Sequence, residues 1–578
     1  MRILGISCFY HDAAAALIVD GTLVAAVSEE RFTRIKHDPE LPKQAVQFCL
    51  QKANIEINQL DTIVFYDKPF TKFDRILTGY LATPFRSYRA FLASMPIWLR
   101  RKLWVEQVIG KELGYNGEVL FLPHHVSHAA GAFFGSPFGK AAILTIDGVG
   151  EWATASYGIG ENNRVRLLAE MHYPHSVGLL YSAFTQYLGF QVNSAEYKVM
   201  GLAPYGTPRF AELIEEKIVT IHHDGSIHLN MRYFDYHHGL RMINGRFERL
   251  FGRKRRSPES PIESFHEDVA ASVQAVTERV VLTMARHVRK ETGLDKLCMS
   301  GGVALNCKAN GLLLNEGTFS DIYVQPASGD AGGAVGAALY AYYKLTGAEK
   351  QSQPFFGIGP ESSSVEIKAF LDKNGVPYRH EPLDDRLAYV ADQLVNGRIV
   401  GFYQGAAEFG PRALGFRSIL ADPRDNTMKE KINAAVKYRE PFRPFAPAVL
   451  RERVDEYFEC DTDAPYMIFN FTVREGKRAV IPAVTHVDNS SRIQTVSRKD
   501  NQVLYDLLVA FDRLTGVPVL LNTSFNLRGH PIVNSPEEAF ATFCSGGVDI
   551  LLLGEYIINK SDISNDIRAK FFYQVASD

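Results

Sequence analysis

Three features of the sequence predict an α/β protein of two domains. A strand, a polar loop and an antiparallel pair of strands occur at the N-terminus and again from residue 141. Two Gly-rich turns, each between a strand and a helix, follow near residues 300 and 328. Past a polar linker at 346–353, the chemistry changes to arginines in loops punctuated by Gly and Pro. A chain of 578 residues also exceeds what one core usually serves. The expected domains are 1–350, with insertions at about 66–113 and 207–262, and 351–578.

Residues 2–7 read as a buried strand, and 13–19 with 23–27 as a hairpin closed by Asp20-Gly21. His11-Asp12 lies in the first loop. The plan returns at 141–145, 154–159 and 165–171, with Asp147-Gly148 in the corresponding loop. Such a duplication is the plan of the actin, sugar kinase and Hsp70 ATPase fold. Between the copies, 43–53 reads as a helix, 62–66 as a strand and 69–113 as an irregular helical insertion. A strand at 118–122 leads into Pro123-His124-His125-Val126-Ser127-His128-Ala129-Ala130. On a helix, His124 and His128 share a face and can meet at one ion. Asp147 at a strand end is the natural third ligand, and the set suits iron(II), manganese or zinc. A histidine-rich surface turn is the plain alternative.

Residues 265–292 carry helical periodicity and lead to a strand at 296–299. Ser300-Gly301-Gly302-Val303-Ala304-Leu305-Asn306 follows, where a Gly pair before a helix lets backbone approach a phosphate or simply makes a tight turn. Ser328-Gly329-Asp330-Ala331-Gly332-Gly333-Ala334 is a second such turn before a helix at 335–343. Asp330 there is either a further metal ligand or an N-cap. In the second domain, Gly410-Pro411-Arg412-Ala413-Leu414-Gly415-Phe416-Arg417-Ser418, Lys437, Arg443, Arg492, Ser524 and Asn526 form a set suited to a small doubly charged anion. Exposed arginines in weak ion pairs are the alternative.

Formal net charge is -2, which gives no broad footprint for nucleic acid or membrane. The basic and aromatic stretch 86–102 is too short to span a bilayer; it is expected to pack on the protein or cover a substrate, with contact to a membrane surface as the alternative. The six cysteines have no CxxC spacing, and no signal-peptide core opens the chain, so a reducing cytoplasm is expected.

Taken in order, the motifs at 124–128 with Asp147, at 196–206, 300–306, 410–418, 439–447 and 521–526 resemble those of the ATP-dependent O-carbamoyltransferases of antibiotic, toxin and nodulation-factor biosynthesis. The resemblance covers essentially the whole chain. It implies an actin-like (ASKHA, duplicated RNase H-like) N-terminal domain and an α+β YrdC-like C-terminal domain. It implies that the second domain converts carbamoyl phosphate to carbamate, which passes inside the protein to the first. There ATP converts it to carbamoyl adenylate, and the carbamoyl group moves to a hydroxyl of a small-molecule natural product. His124, His128, Asp147 and Asp330 match the family's metal ligands, which implies Fe(II), with Mg(II) accompanying ATP. His11 matches a residue near the acceptor, able to serve as general base, and Lys36 a lysine that reaches nucleotide phosphates. Gly301, Gly302 and Asn306 match nucleotide contacts. Arg412, Lys437, Arg443, Arg492 and Ser524, with Arg417 and Asn526 beside them, match the carbamoyl phosphate set. Glu196-Tyr197-Lys198 departs from the family's wording. Expected partners are ATP, carbamoyl phosphate and the acceptor, with no nucleic acid and no membrane; a homodimer is the expected assembly. An actin-fold ATPase or kinase would account for the first half alone. A fused tRNA-modifying threonylcarbamoyl enzyme would call for a basic face.

Overall fold

The computed structural model describes residues 1–573. It divides into two compact units, Met1–Glu29 with His37–Gln353, and Glu30–Lys36 with Pro354 onward. The segment Glu30–Lys36 lies inside the stretch expected to belong to the first domain. It joins the second because its arginines are bonded there. Arg31 donates to the Gly410 carbonyl at 3.1 Å. Arg34 donates to the Ile532 and Pro531 carbonyls at 2.8 Å and pairs with Glu538 at 3.1 Å.

In the first unit, β1 (Arg2–Ser7), β2 (Ala14–Val19), β3 (Thr22–Ser28), β4 (Thr62–Phe65) and β5 (Val119–Phe121) form a sheet of order β3-β2-β1-β4-β5. β1, β2 and β3 are antiparallel neighbours; β4 and β5 run parallel to β1. The second copy begins with β6 (Lys140–Ile146), β7 (Ala153–Glu161) and β8 (Arg164–His172). A small hairpin, β9 (Val219–Ile221) with β10 (Ile227–Leu229), sits in the second insertion. β11 (Lys296–Ser300) and β12 (Asp321–Val324) then complete the order β12-β11-β6-β7-β8 with the same directions. Two sheets of one order and one pattern of directions are the duplicated actin-like plan. The central strands are almost wholly buried, as strands covered on both faces must be.

The final parallel strand of each sheet feeds a helix, His124–Gly135 after β5 and Asp330–Thr346 after β12. The expected turn at 328–334 is therefore helical from Asp330 onward. Its small residues let the two helices touch backbone to backbone: a Cβ at Gly336 would overlap the Ser127 carbonyl oxygen. Gly336→Ala is expected to destabilise the unit by about 3 kcal/mol, at the upper end for overpacking, because backbone and not a side chain must move. Denaturant unfolding measures this, and an unchanged midpoint would contradict the packing described.

The second unit is built on an eight-stranded mixed sheet. Its strands are β13 (Arg379–His380), β14 (Val400–Tyr403), β15 (Arg417–Ala421), β16 (Ala446–Leu450), β19 (Gln494–Val496), β20 (Val519–Ser524), β21 (Ile550–Leu553) and β22 (Tyr556–Asn559). The order is β13-β22-β21-β14-β15-β20-β16-β19, and a ribbon of β17 (Phe471–Thr472) and β18 (Ser490–Ser491) stands apart. Helices Leu383–Val395, Gln502–Thr515 and Pro536–Ser545 accompany the sheet, an α+β arrangement. No helix among the described residues is long and apolar enough to cross a membrane.

Candidate functional site

The duplicated topology places equivalent residues opposite each other. The loops after β1 and β6, the first strands of the two copies, carry His11 and Asp147. The helices after β5 and β12, the last strands, begin at His124 and Asp330. One ligand atom from each of His124, His128, Asp147 and Asp330 lies within 4.8 Å of the others, and all four residues are buried. His124 Nε2 is 3.2 Å from Asp147 Oδ2 and 3.1 Å from His128 Nε2. Asp330 Oδ1 stands 3.6 and 3.7 Å from the same two nitrogens. His125, between them in sequence, points the other way: its Nδ1 meets Thr145 Oγ1 at 2.7 Å. Burial and its two histidine neighbours push His125 down to about 3.

Surrounding groups hold the four in place. His128 Nδ1 meets Ser300 Oγ at 3.2 Å, which directs its Nε2 inward. The Gly302 N–H donates to Asp147 Oδ1 at 2.8 Å, and the Tyr66 hydroxyl to Asp330 Oδ2 at 3.3 Å. Glu151 accepts the His124 N–H at the start of its helix at 3.0 Å. Burial alone would raise Asp147, yet His124, His128 and the Gly302 amide hold it well below the usual carboxylate range. Asp330 is likewise raised by burial but lowered overall by His11 and His124. Two imidazole nitrogens and two carboxylates brought this close out of water call for a shared cation. The donor set, two nitrogens and carboxylate oxygens, fits a borderline divalent ion.

His11 is next to this cluster, its Nε2 4.0 Å from Asp330 Oδ2 and its Nδ1 2.9 Å from Asp12 Oδ2. Burial lowers its pKa, but Asp330 and Asp12 outweigh that and lift it to about 9. Gly301 has φ 95°, and a Cβ there would overlap the Ile146 carbonyl oxygen. Only Gly fits this turn. The Gly302 amide, expected to meet nucleotide, instead orients Asp147. Asn306 has a structural role at this turn. Its Oδ1 accepts from the Ala309 N–H at 3.2 Å, capping the next helix, and its amide pairs with Gln274 at 3.0 and 3.1 Å. Lys36 lies in the segment that clusters with the second unit, so the first unit does not bring it to the metal cluster. Glu196 accepts from Ser182 at 2.8 Å and Lys198 is buried above Phe190.

Sequence reasoning missed several groups, because each lies in the helical insertion or in a loop without motif character. Lys72 is buried, pairs with Asp67 at 2.7 Å and stands 5.1 Å over the Tyr10 ring. Arg75, one helical turn on, is buried against Tyr173 at 4.8 Å and makes no hydrogen bond or ion pair with any described residue. The only signal was i, i+3 spacing of two cations on a helix otherwise apolar on that side.

In the second unit, the register gathers the basic residues. β20 is antiparallel to both β15 and β16, and β19 is parallel to β16. The starts of β15, β16 and β19 and the end of β20 therefore share one end of the sheet. Arg412 precedes β15, Lys437 and Arg443 precede β16, Arg492 precedes β19, and Ser524 ends β20. Lys437 Nζ donates to Asn526 Oδ1 at 2.8 Å, to the Asn526 carbonyl at 3.1 Å and to Ser524 Oγ at 3.3 Å, and also to the Ser524 carbonyl. Burial, then the Arg439 and Arg443 charges, hold its amine well below the usual lysine range. Arg443 itself stands 3.7 Å from Glu440.

Arg417 does not belong to this group. It is fully buried, with its guanidinium 3.6 Å over the Tyr403 ring. It donates to the carbonyls of Gln404 and Gly405 at 2.9 Å and of Phe416 and Pro360 at 3.1 Å. The fold consumes this arginine to close a loop.

Comparison with known proteins gives a consistent result. Residues 2–339 match the family model described as carbamoyltransferase N-terminus, and 391–560 the one described as carbamoyltransferase C-terminus. An uncharacterized protein of Synechocystis sp. is 48% identical, with 97% of each chain covered. Nodulation protein NolNO of Sinorhizobium fredii is 40% identical, over 96% of this chain and 80% of the relative. Among solved structures, component A of the (R)-2-hydroxyglutaryl-CoA dehydratase of Acidaminococcus fermentans is similar to 60% of this chain and 98% of its own, at 15% identity and a TM-score of 0.31.

Proposed function

We propose, since the chain belongs to the carbamoyltransferase family, that it uses carbamoyl phosphate and ATP to carbamoylate a hydroxyl of a small-molecule natural product in the cytoplasm. In the second unit, water splits carbamoyl phosphate into carbamate and phosphate. Lys437, Arg443, Arg412 and Arg492 hold the phosphate dianion, with Ser524 and Asn526 fixing the amine of Lys437. In the first unit, a carbamate oxygen attacks the α-phosphorus of ATP, giving carbamoyl adenylate and pyrophosphate. The acceptor oxygen then attacks the carbamoyl carbon, the bond to AMP breaks, and the hydroxyl proton passes to His11 Nε2, which is free to take it once a cation on Asp330 offsets the carboxylate charge that otherwise keeps the ring protonated. His124, His128, Asp147 and Asp330 would hold a divalent ion, proposed as iron(II), which supplies positive charge for the nucleotide phosphates. Gly301 keeps a side chain out of that turn, and Gly302 keeps Asp147 in register.

The observation that carries this reading is that one chain holds both a buried His/carboxylate cluster in an actin-like unit and a basic sheet end built around the buried Lys437, bonded to Ser524 and Asn526. An actin-fold kinase would have no use for the second. The test is exchange of labelled pyrophosphate into ATP by the full chain. Exchange that requires carbamoyl phosphate and no acceptor is expected. Exchange that proceeds equally without carbamoyl phosphate would overturn the proposal.

A further inference from the structure

The helix Pro84–Ile97 reverses the usual distribution of side chains. Its inner face carries the buried Ser87, Ala90 and Met95, and the turn that continues it buries Trp98. Met95, Trp98 and Leu103 form a small core with Phe73, Ile76, Tyr80 and Phe91 around it. The stretch was expected to pack on the protein, and this face does. The outer face does not: Phe85 is 99% exposed, Tyr88 62%, Leu92 53% and Leu99 55%. These positions follow one another at helical spacing, so they share a face.

Arginines alternate with them. Arg86, Arg89 and Arg100 are exposed, and their side chains make no hydrogen bond or ion pair with any described residue. From Arg75 through Val105 the sequence has no acidic residue, in a chain whose net charge is -2. A face that offers aromatic and aliphatic side chains between unpaired cations complements a surface with negative phosphates above an apolar layer. It does not complement itself, because a second copy would set arginine against arginine. No helix among the described residues is long and apolar enough to cross a bilayer, so the contact argued here is with its surface.

We infer that the outer face of Pro84–Ile97 docks on an anionic lipid bilayer. Phe85, Tyr88, Leu92 and Leu99 enter the boundary between headgroups and acyl chains, and Arg86, Arg89 and Arg100 meet lipid phosphates. The face uses no residue of the metal cluster or of the basic sheet end, so the carbamoyl chemistry can fail without affecting it.

The test is co-sedimentation of the full chain with vesicles of phosphatidylcholine alone and of phosphatidylcholine with phosphatidylglycerol. Binding is expected to be about tenfold or more stronger on the anionic vesicles, to weaken with salt, and to be lost in the F85S/Y88S/L92S variant. That variant, altered only at exposed positions, is expected to keep its thermal unfolding midpoint, which establishes that it is folded. Wild-type protein that stays in the supernatant with anionic vesicles would overturn the inference. So would equal binding by the triple variant. A wild-type dimer that the triple variant converts to monomer, with no vesicle binding by either, would show instead that a second copy covers this face.

Discussion

His128→Ala is expected to release the bound metal and to lower carbamoyl phosphate-dependent pyrophosphate exchange by roughly 10²–10³-fold, the equivalent of several kcal/mol of lost charge stabilisation. The loss follows from geometry. His128 Nε2 is 3.1 Å from His124 Nε2 and 3.7 Å from Asp330 Oδ1, so its removal opens one side of the cluster. Asp147 and Asp330 then remain buried with one imidazole between them, an arrangement that favours protonation over metal binding. Elemental analysis of the purified variant reads the first effect and the exchange assay the second. His125→Ala is the control. Its ring faces Thr145 and Ser156, so it should keep its metal even if it is less stable. Full metal content in His128→Ala would remove that residue from the ligand set.

Lys437→Met is expected to lower carbamoyl phosphate consumption by about 10²–10³-fold, the usual cost of losing one charged donor at a developing anion, while ATP binding by the first unit is unchanged. Burial, and after it the charges of Arg439 and Arg443, hold the pKa of this amine down although oxygen acceptors surround it. Two further consequences follow from the sign of that shift. In the free protein the folded chain gives up the Lys437 proton at lower pH than the unfolded chain does. Between the folded and unfolded pKa values the unfolded state binds more protons, so this group's contribution to stability rises with pH and is lost as pH falls through the folded value. Phosphate reverses the local field and draws the proton back. Above about pH 8, where phosphate is already a dianion, phosphate affinity measured by calorimetry should fall as pH rises, with proton uptake on binding. Lys437→Met should show neither. Affinity that rises with pH would contradict the role given to this lysine.

Much of the arrangement was legible because it rests on periodicity. The recurrence of a buried strand, a polar loop and an antiparallel pair of strands marked the duplicated plan, and the four-residue spacing of His124 and His128 put both rings on one face. Asp330 was legible only as an acid in a Gly-rich stretch. That the stretch is helical depends on Gly336 lying against Ser127, a tertiary contact with no local signal. Arg417 and Arg412 sit in the same loop and look alike in sequence. Only the fold reveals that one is spent on four carbonyls over Tyr403. That Asn306 caps the next helix was not legible, since Asn before a helix serves equally well as an N-cap or as a ligand contact. That Lys36 groups with the second unit, in a seven-residue segment held there by Arg31 and Arg34, was not legible because chain order carries no sign of it. Arg75 and Lys72 were invisible for lack of any motif, although burial marks them clearly once the insertion is folded.

The most direct test of the central claim, that carbamate is adenylated and not phosphorylated, is a phosphorus NMR measurement on the full chain. Stoichiometric protein is mixed with ATP and carbamoyl phosphate, with no acceptor. The account predicts one inorganic phosphate from carbamoyl phosphate for each pyrophosphate from ATP, with the adenosine monophosphoryl signal appearing as pyrophosphate does. Formation of ADP in place of pyrophosphate would contradict it.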